Sequence, residues 1–319
     1  MTSLHILDQR LLDQRLTGGM APILSTRPRY NTPVMTKFIA SKFQVGQSIA
    51  SINSLDTKSA EYWDADMQSY MYLQDFVNTT SSWEERLRNV ALRARDKYGK
   101  GLDHEIEEML ELAPEREERF MEIIDQDDAD GAANYWLGML QISPARNPAT
   151  YLMMRVGRRI GEHVVMCLKG YFRAARPSQL CPAILPMIDP PATPSFPAGH
   201  AVQAYLMSYL LAYSLPNIPQ HTTPKKLDAA EGSLFDLGYR VSQNRVVAGL
   251  HFPIDITAGR AVGIACFDAL QDVDSIWGDR ENETGELRRK PEASHLTQDT
   301  SLEAKSLRAR VREEFPQYK

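Results

Sequence analysis

Apolar side chains recur at three- and four-residue intervals along most of the chain, which is the period of an α-helix with one buried face. The longest such pattern predicts one continuous helix over 149–175, which Pro177 ends. Its apolar stripe consists of Leu152, Val156, Ile160, Val164 and Leu168. A single stripe of this kind indicates a helix that packs along one face.

The same period predicts helices along much of the remaining chain. They fall within 62–76, 81–98, 103–130 (two helices), 200–212, 230–250 and 254–270. No alternating pattern of the kind that predicts a β-strand runs for any length, and Gly and Pro fall between the helical segments. The sequence therefore predicts an all-α protein, a helical bundle.

The pattern divides the chain into four regions. Residues 1–35 predict an N-terminal arm that packs on the body of the protein or on a partner subunit, and 36–129 predict a helical region packed on the core. Residues 130–275 are the predicted core. Residues 276–319 are polar and charged, which is typical of a loosely ordered tail.

Composition narrows the class of protein. A formal net charge of -5 gives no sign of nucleic-acid binding, and the three cysteines match no zinc spacing. The longest nearly apolar window, 201–215, is shorter than the ~20 residues that cross a bilayer, and the N-terminus lacks the apolar run of a secretory signal. We therefore expect a soluble, cytoplasmic protein with no transmembrane segment.

An acidic stretch follows the N-terminal helices. Asp125, Asp127, Asp128 and Asp130 suggest a calcium loop, but no Glu stands at the closing position that such a loop requires. The stretch therefore favours a polar connector.

The first candidate for chemistry is Lys169-x₆-Arg176-Pro177. On the predicted helix, Lys169 and Arg176 project from one face two turns apart, with Arg173 near the same face. Cations held this close repel each other unless an anion lies between them. The alternative for this motif alone is an exposed basic stripe.

The second candidate is Pro197-Ala198-Gly199-His200, which places small residues directly before a helix. Backbone N–H groups at a helix start bind anions, and Gly199 allows close approach. His200 would lie at the edge of that site, able to transfer a proton. Alone, the motif favours a capping or core histidine.

The third candidate combines Arg245, His251 and Asp255. If the segment from His251 to Asp255 is one helical turn, its i,i+4 spacing lets Asp255 accept from Nδ1 of His251, which leaves a lone pair on Nε2. Pro253 fits the first position of a helix. In isolation these residues are also compatible with a surface salt bridge beside a structural histidine.

Together the three motifs resemble the phosphatidic acid phosphatase type 2 (PAP2) superfamily, over about residues 130–275. This superfamily contains acid phosphatases, lipid phosphatases and vanadium-dependent haloperoxidases, and many of its members are membrane proteins. The resemblance implies their all-α bundle, here with additional N-terminal helices.

For a phosphatase, the resemblance implies that His251 attacks phosphorus, Asp255 orients it, and His200 protonates the leaving alkoxide. Lys169, Arg176 and Arg245 would hold the phosphate oxygens, assisted by the backbone at Ala198 and Gly199. We favour this interpretation, in which the protein is a soluble acid phosphatase. It would hydrolyse small phosphate monoesters through a phosphohistidine, without a cofactor.

For a haloperoxidase, the same positions resemble a vanadate site. His251 would be the axial ligand of the vanadate cofactor, and the substrates would be halide and hydrogen peroxide. The segment 194–201 is similar to the haloperoxidases, whereas 251–255 is more similar to the phosphatases.

Two residues depart from the family pattern. Ala198 replaces the usual serine and removes a hydroxyl donor, and Asn244 replaces the usual serine before Arg245. Ala198 motivates a third alternative, a catalytically weakened anion-binding protein. The Met- and Tyr-rich face of 62–76 also suggests a possible homodimer.

Overall fold

The computed structural model describes residues 63–127, 131–215, 232–278 and 305–315. Every regular element in these ranges is helical, so the predicted all-α class is confirmed. The predicted N-terminal arm lies outside the described residues. None of the described helices is long and apolar enough to cross a membrane.

The described ranges contain α-helices and two 3₁₀ turns. The α-helices are α1 Ala65–Thr79, α2 Trp83–Tyr98, α3 Leu102–Leu112, α4 Phe120–Asp125, α5 Gly131–Met139, α6 Pro148–Phe172, α7 Pro177–Leu180, α8 Gly199–Ser214, α9 Ser233–Val247, α10 Pro253–Leu270 and α11 Leu307–Glu313. The 3₁₀ turns are Ala113–Arg116 and Pro182–Ile184.

Helix α8 lies at the centre, packed against α6, α9 and α10. Most of its side chains are buried, and it is apolar around most of its circumference, as expected of a core helix. Helix α10 approaches it closely because two glycines face it. A Cβ at Gly259 would lie 2.7 Å from the carbonyl oxygen of Ala198, and one at Gly263 would lie 2.7 Å from that of Val202.

The close approach aligns the first turns of α8 and α10. The Ala198 N–H, at the N-cap of α8, donates to the carbonyl oxygen of Asp255 in the first turn of α10 over 3.0 Å. His200 and Asp255 are therefore carried on two helix starts that are bonded to each other.

Helix α6 is shorter than predicted. It ends at Phe172, and Arg173 adopts a left-handed conformation with φ 50° that closes the helix. The sequence predicted helix to residue 175 because the apolar stripe gives no stop signal before Pro177. Because the helix ends at Phe172, Arg176 lies outside α6.

Residues 305–315, which lie within the predicted loosely ordered tail, include the helix α11. In α11, Leu307 and Val311 are fully buried and join the main core. The carboxylate of Glu314 then accepts from the backbone N–H groups of Ala149 (2.6 Å) and Thr150 (3.0 Å) at the start of α6. An acidic side chain there stabilises the helix by satisfying free N–H groups beside the positive end of its dipole.

Candidate active site

Lys169 and Arg176 do not share a helix, and that prediction is wrong. Lys169 lies in the last turn of α6, whereas Arg176 is the N-cap of α7 in an extended conformation. Both side chains are nevertheless buried, at 3% and 4% exposure. The Arg173 side chain is exposed, and among the described residues it donates to the nearby Gly170 carbonyl, so it is not a third member of the cation set.

The Arg176 guanidinium is fixed by backbone oxygens on two sides. Its Nε donates to the Thr193 carbonyl and its Nη1 to the Leu250 carbonyl, each over 2.9 Å. Nη1 also lies 3.1 Å from Nε2 of His251. Burial lowers the pKa of Arg176 to about 10, so the side chain stays charged at neutral pH.

Lys169 is held by the proline-rich segment before α8. Its ammonium donates to the carbonyl oxygens of Ser195 (2.9 Å) and Pro194. Burial, and then the nearby charge of Arg176, lower the pKa of Lys169 to about 7. The segment between the 3₁₀ turn Pro182–Ile184 and α8 thus has a direct role, since its carbonyls orient the buried cations.

His251 and Asp255 form a buried pair. Nδ1 of His251 lies 3.1 Å from Oδ2 of Asp255, and both residues are less than 5% exposed. The same oxygen accepts from the Phe252 N–H (3.1 Å) and from the Ser195 hydroxyl (2.5 Å). Since an ionised carboxylate only accepts, Nδ1 carries the proton and Nε2 the lone pair.

The pair forms at a helix start rather than within one turn. Phe252 is the N-cap of α10 and Pro253 its first residue, so His251 precedes the helix. Burial raises the pKa of Asp255 to about 6. Burial, followed by the charges of Lys169 and Arg176, lowers the pKa of His251 well below its usual value. The imidazole is therefore neutral at physiological pH.

His200 lies in the first turn of α8 and is half-buried. Its Nε2 lies 2.9 Å from the carbonyl oxygen of Gln126. Burial, followed by the charge of Arg245, lowers the pKa of His200 to about 3.

The two small residues before His200 have different roles. The Ala198 N–H already donates to Asp255, so it is not available to an anion, in contrast to the prediction. The Ala198 methyl group is fully buried in an apolar cluster with Met109, Ile184 and Val246. Gly199 remains as the predicted backbone donor at the start of α8.

Arg245 lies in the last turn of α9 and is 1% exposed. Its Nη2 donates to Oδ1 of Asp127 over 2.9 Å, whereas Nη1 is buried and has no hydrogen-bond partner within the described ranges. Burial lowers the pKa of Arg245. A buried guanidinium with an unused donor is suited to bind an oxyanion.

Several contributors to this site were missed by the sequence analysis. The acidic stretch was interpreted as a connector, yet Asp127 pairs with Arg245 and the Gln126 carbonyl contacts His200. In the sequence, Ser195 belongs to the segment 194–201 that is similar to the haloperoxidases, and nothing there predicts a role for it. In the structure its hydroxyl donates to Asp255. The charge of Asp127 was the available signal, because a buried arginine requires an acidic partner.

The arrangement defines a class of site: a neutral histidine, oriented by a carboxylate, among three buried cations in an all-α bundle. Within the described ranges, no group of three or more His, Cys, Asp or Glu side chains is placed to hold a metal ion. Residues 151–270 match the PAP2 superfamily model. The match confirms the resemblance to this superfamily that the three motifs predict.

Similar proteins include phosphatases. The decaprenylphosphoryl-5-phosphoribose phosphatases of two Mycobacterium tuberculosis strains, CDC 1551 / Oshkosh and ATCC 25618 / H37Rv, are each 28% identical over 142 residues. The match covers 44% of this chain and 68% of each relative. Together with the family match, these relatives indicate a phosphatase-type function.

A solved structure is also similar, namely the crystal structure of the first transmembrane PAP2 type phosphatidylglycerolphosphate phosphatase from Bacillus subtilis. It is 17% identical, with a TM-score of 0.27, and the match covers 66% of this chain and 95% of that one. At that TM-score the likeness carries no argument about function.

Proposed function

We propose that this protein is a PAP2-type phosphatase that hydrolyses phosphate monoesters through a phosphohistidine at His251. The observation that carries the proposal is the protonation state and orientation of the His251 imidazole. Nδ1 is bound to Asp255 at 3.1 Å, and the lone pair on Nε2 faces the Arg176 guanidinium. A neutral imidazole with a directed lone pair is what nucleophilic attack on phosphorus requires.

In the first step, Nε2 of His251 attacks phosphorus and the bond from phosphorus to the ester oxygen breaks. The ester binds as its monoanion and passes its proton to the neutral ring of His200, which gives it to the departing alkoxide, while Asp255 stabilises the positive charge that forms on the His251 ring. In the second step, water attacks phosphorus while His200 takes its proton, and the bond from phosphorus to Nε2 breaks. His200 returns this proton to the phosphate, which leaves as its monoanion, and both histidines return to their starting forms.

Three buried cations support these steps. Lys169, Arg176 and Arg245 are each less than 5% exposed, and their charges favour an anion with several oxygens. In phosphoryl transfer most of the catalysis comes from such positioning and charge stabilisation. The mechanism as written needs no cofactor.

The names of the similar phosphatases support one class of substrate. The mycobacterial relatives are named for a phosphorylated ribose on a lipid carrier, and a phosphate monoester is the chemistry that they share with the proposed reaction. For this chain we propose a small-molecule phosphate monoester. The cation set and Nε2 of His251 would fit vanadate equally well, but no described contact favours halide oxidation over hydrolysis. Haloperoxidase activity, a homodimer and a cytoplasmic location stay predictions.

The test is hydrolysis of p-nitrophenyl phosphate by the purified protein and by His251→Ala. We expect turnover by the parent protein only, and a phosphohistidine at residue 251 in alkali-quenched samples analysed by mass spectrometry. His104→Ala is the matched control, because His104 is exposed on α3. Hydrolysis that survives His251→Ala would refute the proposal. Triiodide formation from iodide and peroxide, only after vanadate is added, would replace it with the oxidase.

A further inference from the structure

The segment that follows α4 reaches the candidate site from a distant part of the sequence. The carbonyl oxygen of Gln126 lies 2.9 Å from Nε2 of His200, and Oδ1 of Asp127 lies 2.9 Å from Nη2 of Arg245. Two adjacent residues therefore contact the acid–base histidine and one of the oxyanion cations. Gln126 itself is fully buried.

Asn244 anchors this segment. Its side-chain amide donates to Oε2 of Glu122 over 3.0 Å and to Oε1 of Gln126 over 2.9 Å, and its oxygen accepts from Arg119 over 3.1 Å. Both N–H groups and the oxygen are thus used in contacts with α4 and the residues beside it. Asn244 is fully buried, so breaking these bonds leaves polar groups without water to replace them.

Asn244 is also one of the two departures from the family pattern. A serine hydroxyl has one donor and a short side chain, and it cannot donate to Glu122 and Gln126 at once. The asparagine at this position therefore explains how this chain attaches the acidic segment to the end of α9.

The contact with Gln126 determines which atom of His200 carries a proton. A carbonyl oxygen only accepts, so Nε2 carries hydrogen and Nδ1 carries the lone pair. The titratable groups that face this ring are Arg245, then His251 and Lys169, and a positive charge on any of them disfavours the protonated form of His200. The Gln126 carbonyl acts in the opposite direction and favours that form.

On the basis of the proposed phosphatase function, we propose that Asn244 and Gln126 are positioning residues for proton transfer. They hold Nε2–H of His200 so that the lone pair on Nδ1 takes up the proton of the bound ester, gives it to the leaving oxygen and later accepts one from water. The bond from Nε2–H to the Gln126 carbonyl persists through both steps.

The test compares two esters in Asn244→Asp, which keeps the shape and the acceptor for Arg119 but loses both donated bonds. p-Nitrophenolate leaves without much help from an acid, whereas an alkoxide needs its proton. We expect kcat/KM for an alkyl phosphate to fall ~10²-fold, the low end of general-acid contributions, and kcat/KM for p-nitrophenyl phosphate to fall by less than ~5-fold.

Two further variants keep the result interpretable. Asn244→Ser, with the residue usual in the family, provides a second and smaller change if Asn244→Asp does not fold. Ser242→Ala is the matched control, since Ser242 is equally buried on α9 but donates only within that helix, to Gly238. An equal loss for both esters, or no loss, in the Asn244 variants would overturn the proposal.

A second measurement separates this inference from the proposed function. The imidazole nitrogen shifts of His200 in ¹⁵N NMR report its tautomer without any turnover. We expect hydrogen on Nε2 in the parent protein and a mixture in Asn244→Asp. If the parent protein hydrolyses neither ester, the proposed function fails while the NMR result still decides the positioning role. A lone pair found on Nε2 of His200 in the parent protein would refute the inference even in an active phosphatase.

Discussion

Nη1 of Arg176 lies 3.1 Å from Nε2 of His251, the atom that attacks phosphorus in the proposed reaction. Since Nδ1 donates to Asp255, this lone pair accepts from the guanidinium. An incoming phosphoryl group must draw that N–H onto its own oxygen before Nε2 can attack. Substrate binding and release of the nucleophile are therefore coupled through one arginine.

Arg176→Lys tests this coupling. A lysine ammonium lacks the planar fork with which Arg176 reaches Thr193, Leu250 and His251 together. We expect kcat/KM for p-nitrophenyl phosphate to fall about 10²–10³-fold, the loss typical of one oxyanion donor. Arg173→Lys is the control, because the Arg173 side chain is exposed and its described hydrogen bond is to the Gly170 carbonyl rather than to a residue of the site. Similar losses in both variants would contradict the assignment.

Asp255→Asn separates charge from orientation. All three described donors to the Asp255 side chain point at one oxygen, Oδ2, so the amide oxygen of an asparagine can replace it and keep Nδ1–H of His251 in place. Only the negative charge is lost, and we expect kcat to fall ~10²-fold rather than the ~10⁴-fold of a reversed tautomer. Asp268→Asn, at a half-buried position of α10 paired with Arg86, should leave kcat unchanged. A ~10⁴-fold loss would show that the His251 imidazole has adopted the reversed tautomer.

Anion binding should weaken as pH rises above neutrality. The pKa of Lys169 is lowered to about 7, so above that pH the amine loses the charge that attracts an oxyanion. Asp255, with a pKa of about 6, is already ionised, and Arg176, with a pKa of about 10, is still charged. Tungstate keeps its charge across this interval, which makes it a suitable probe.

We expect the dissociation constant for tungstate, measured by calorimetry, to rise toward tenfold per pH unit between about pH 7.5 and 9, as one proton is taken up on binding. Lys169→Met should bind more weakly at pH 6.5 and lose the pH dependence above it. A dependence that survives in Lys169→Met would assign the titration to another group.

The sequence predicts the local parts of this site better than its assembly. The spacing of His251 and Asp255 was sufficient to predict their contact, because four residues near a helix start leave little freedom. Arg176 was placed on the wrong surface, since the left-handed turn at Arg173 occurs at a residue with no special preference for it. The left-handed conformation of this one non-glycine residue ends α6 and changes the direction of the chain before Arg176.

Contacts between distant segments could not be predicted in the same way. Asp127 and Arg245 are separated by 118 residues, and no periodic pattern connects them. The short helix α11 was missed for a related reason. Its seven residues are too few for a reliable periodic signal, and its stability depends on burying Leu307 and Val311 in the core.

The close contact of α8 and α10 gives a prediction about stability and activity together. Gly259→Ala would place a methyl group 2.7 Å from the Ala198 carbonyl and 2.8 Å from the Ala201 methyl, both in or beside the first turn of α8. The helices must move apart, which we expect to lower the free energy of unfolding by about 1–3 kcal/mol. The same movement strains the bond from the Ala198 N–H to Asp255 and displaces His200 from His251.

Gly138→Ala is the matched control for this change. Gly138 lies on an exposed part of α5, and a Cβ there meets nothing within 4 Å, so replacing glycine in the helix should stabilise by up to ~1 kcal/mol. Urea unfolding and kcat/KM for p-nitrophenyl phosphate, measured on both variants, provide the comparison. We expect Gly259→Ala to lose at least tenfold in kcat/KM even where it is fully folded, because displacements of about 1 Å at reacting groups cost rates of that order or more. Full activity in folded Gly259→Ala would mean that the alignment of the two helix starts does not set the geometry of the histidines.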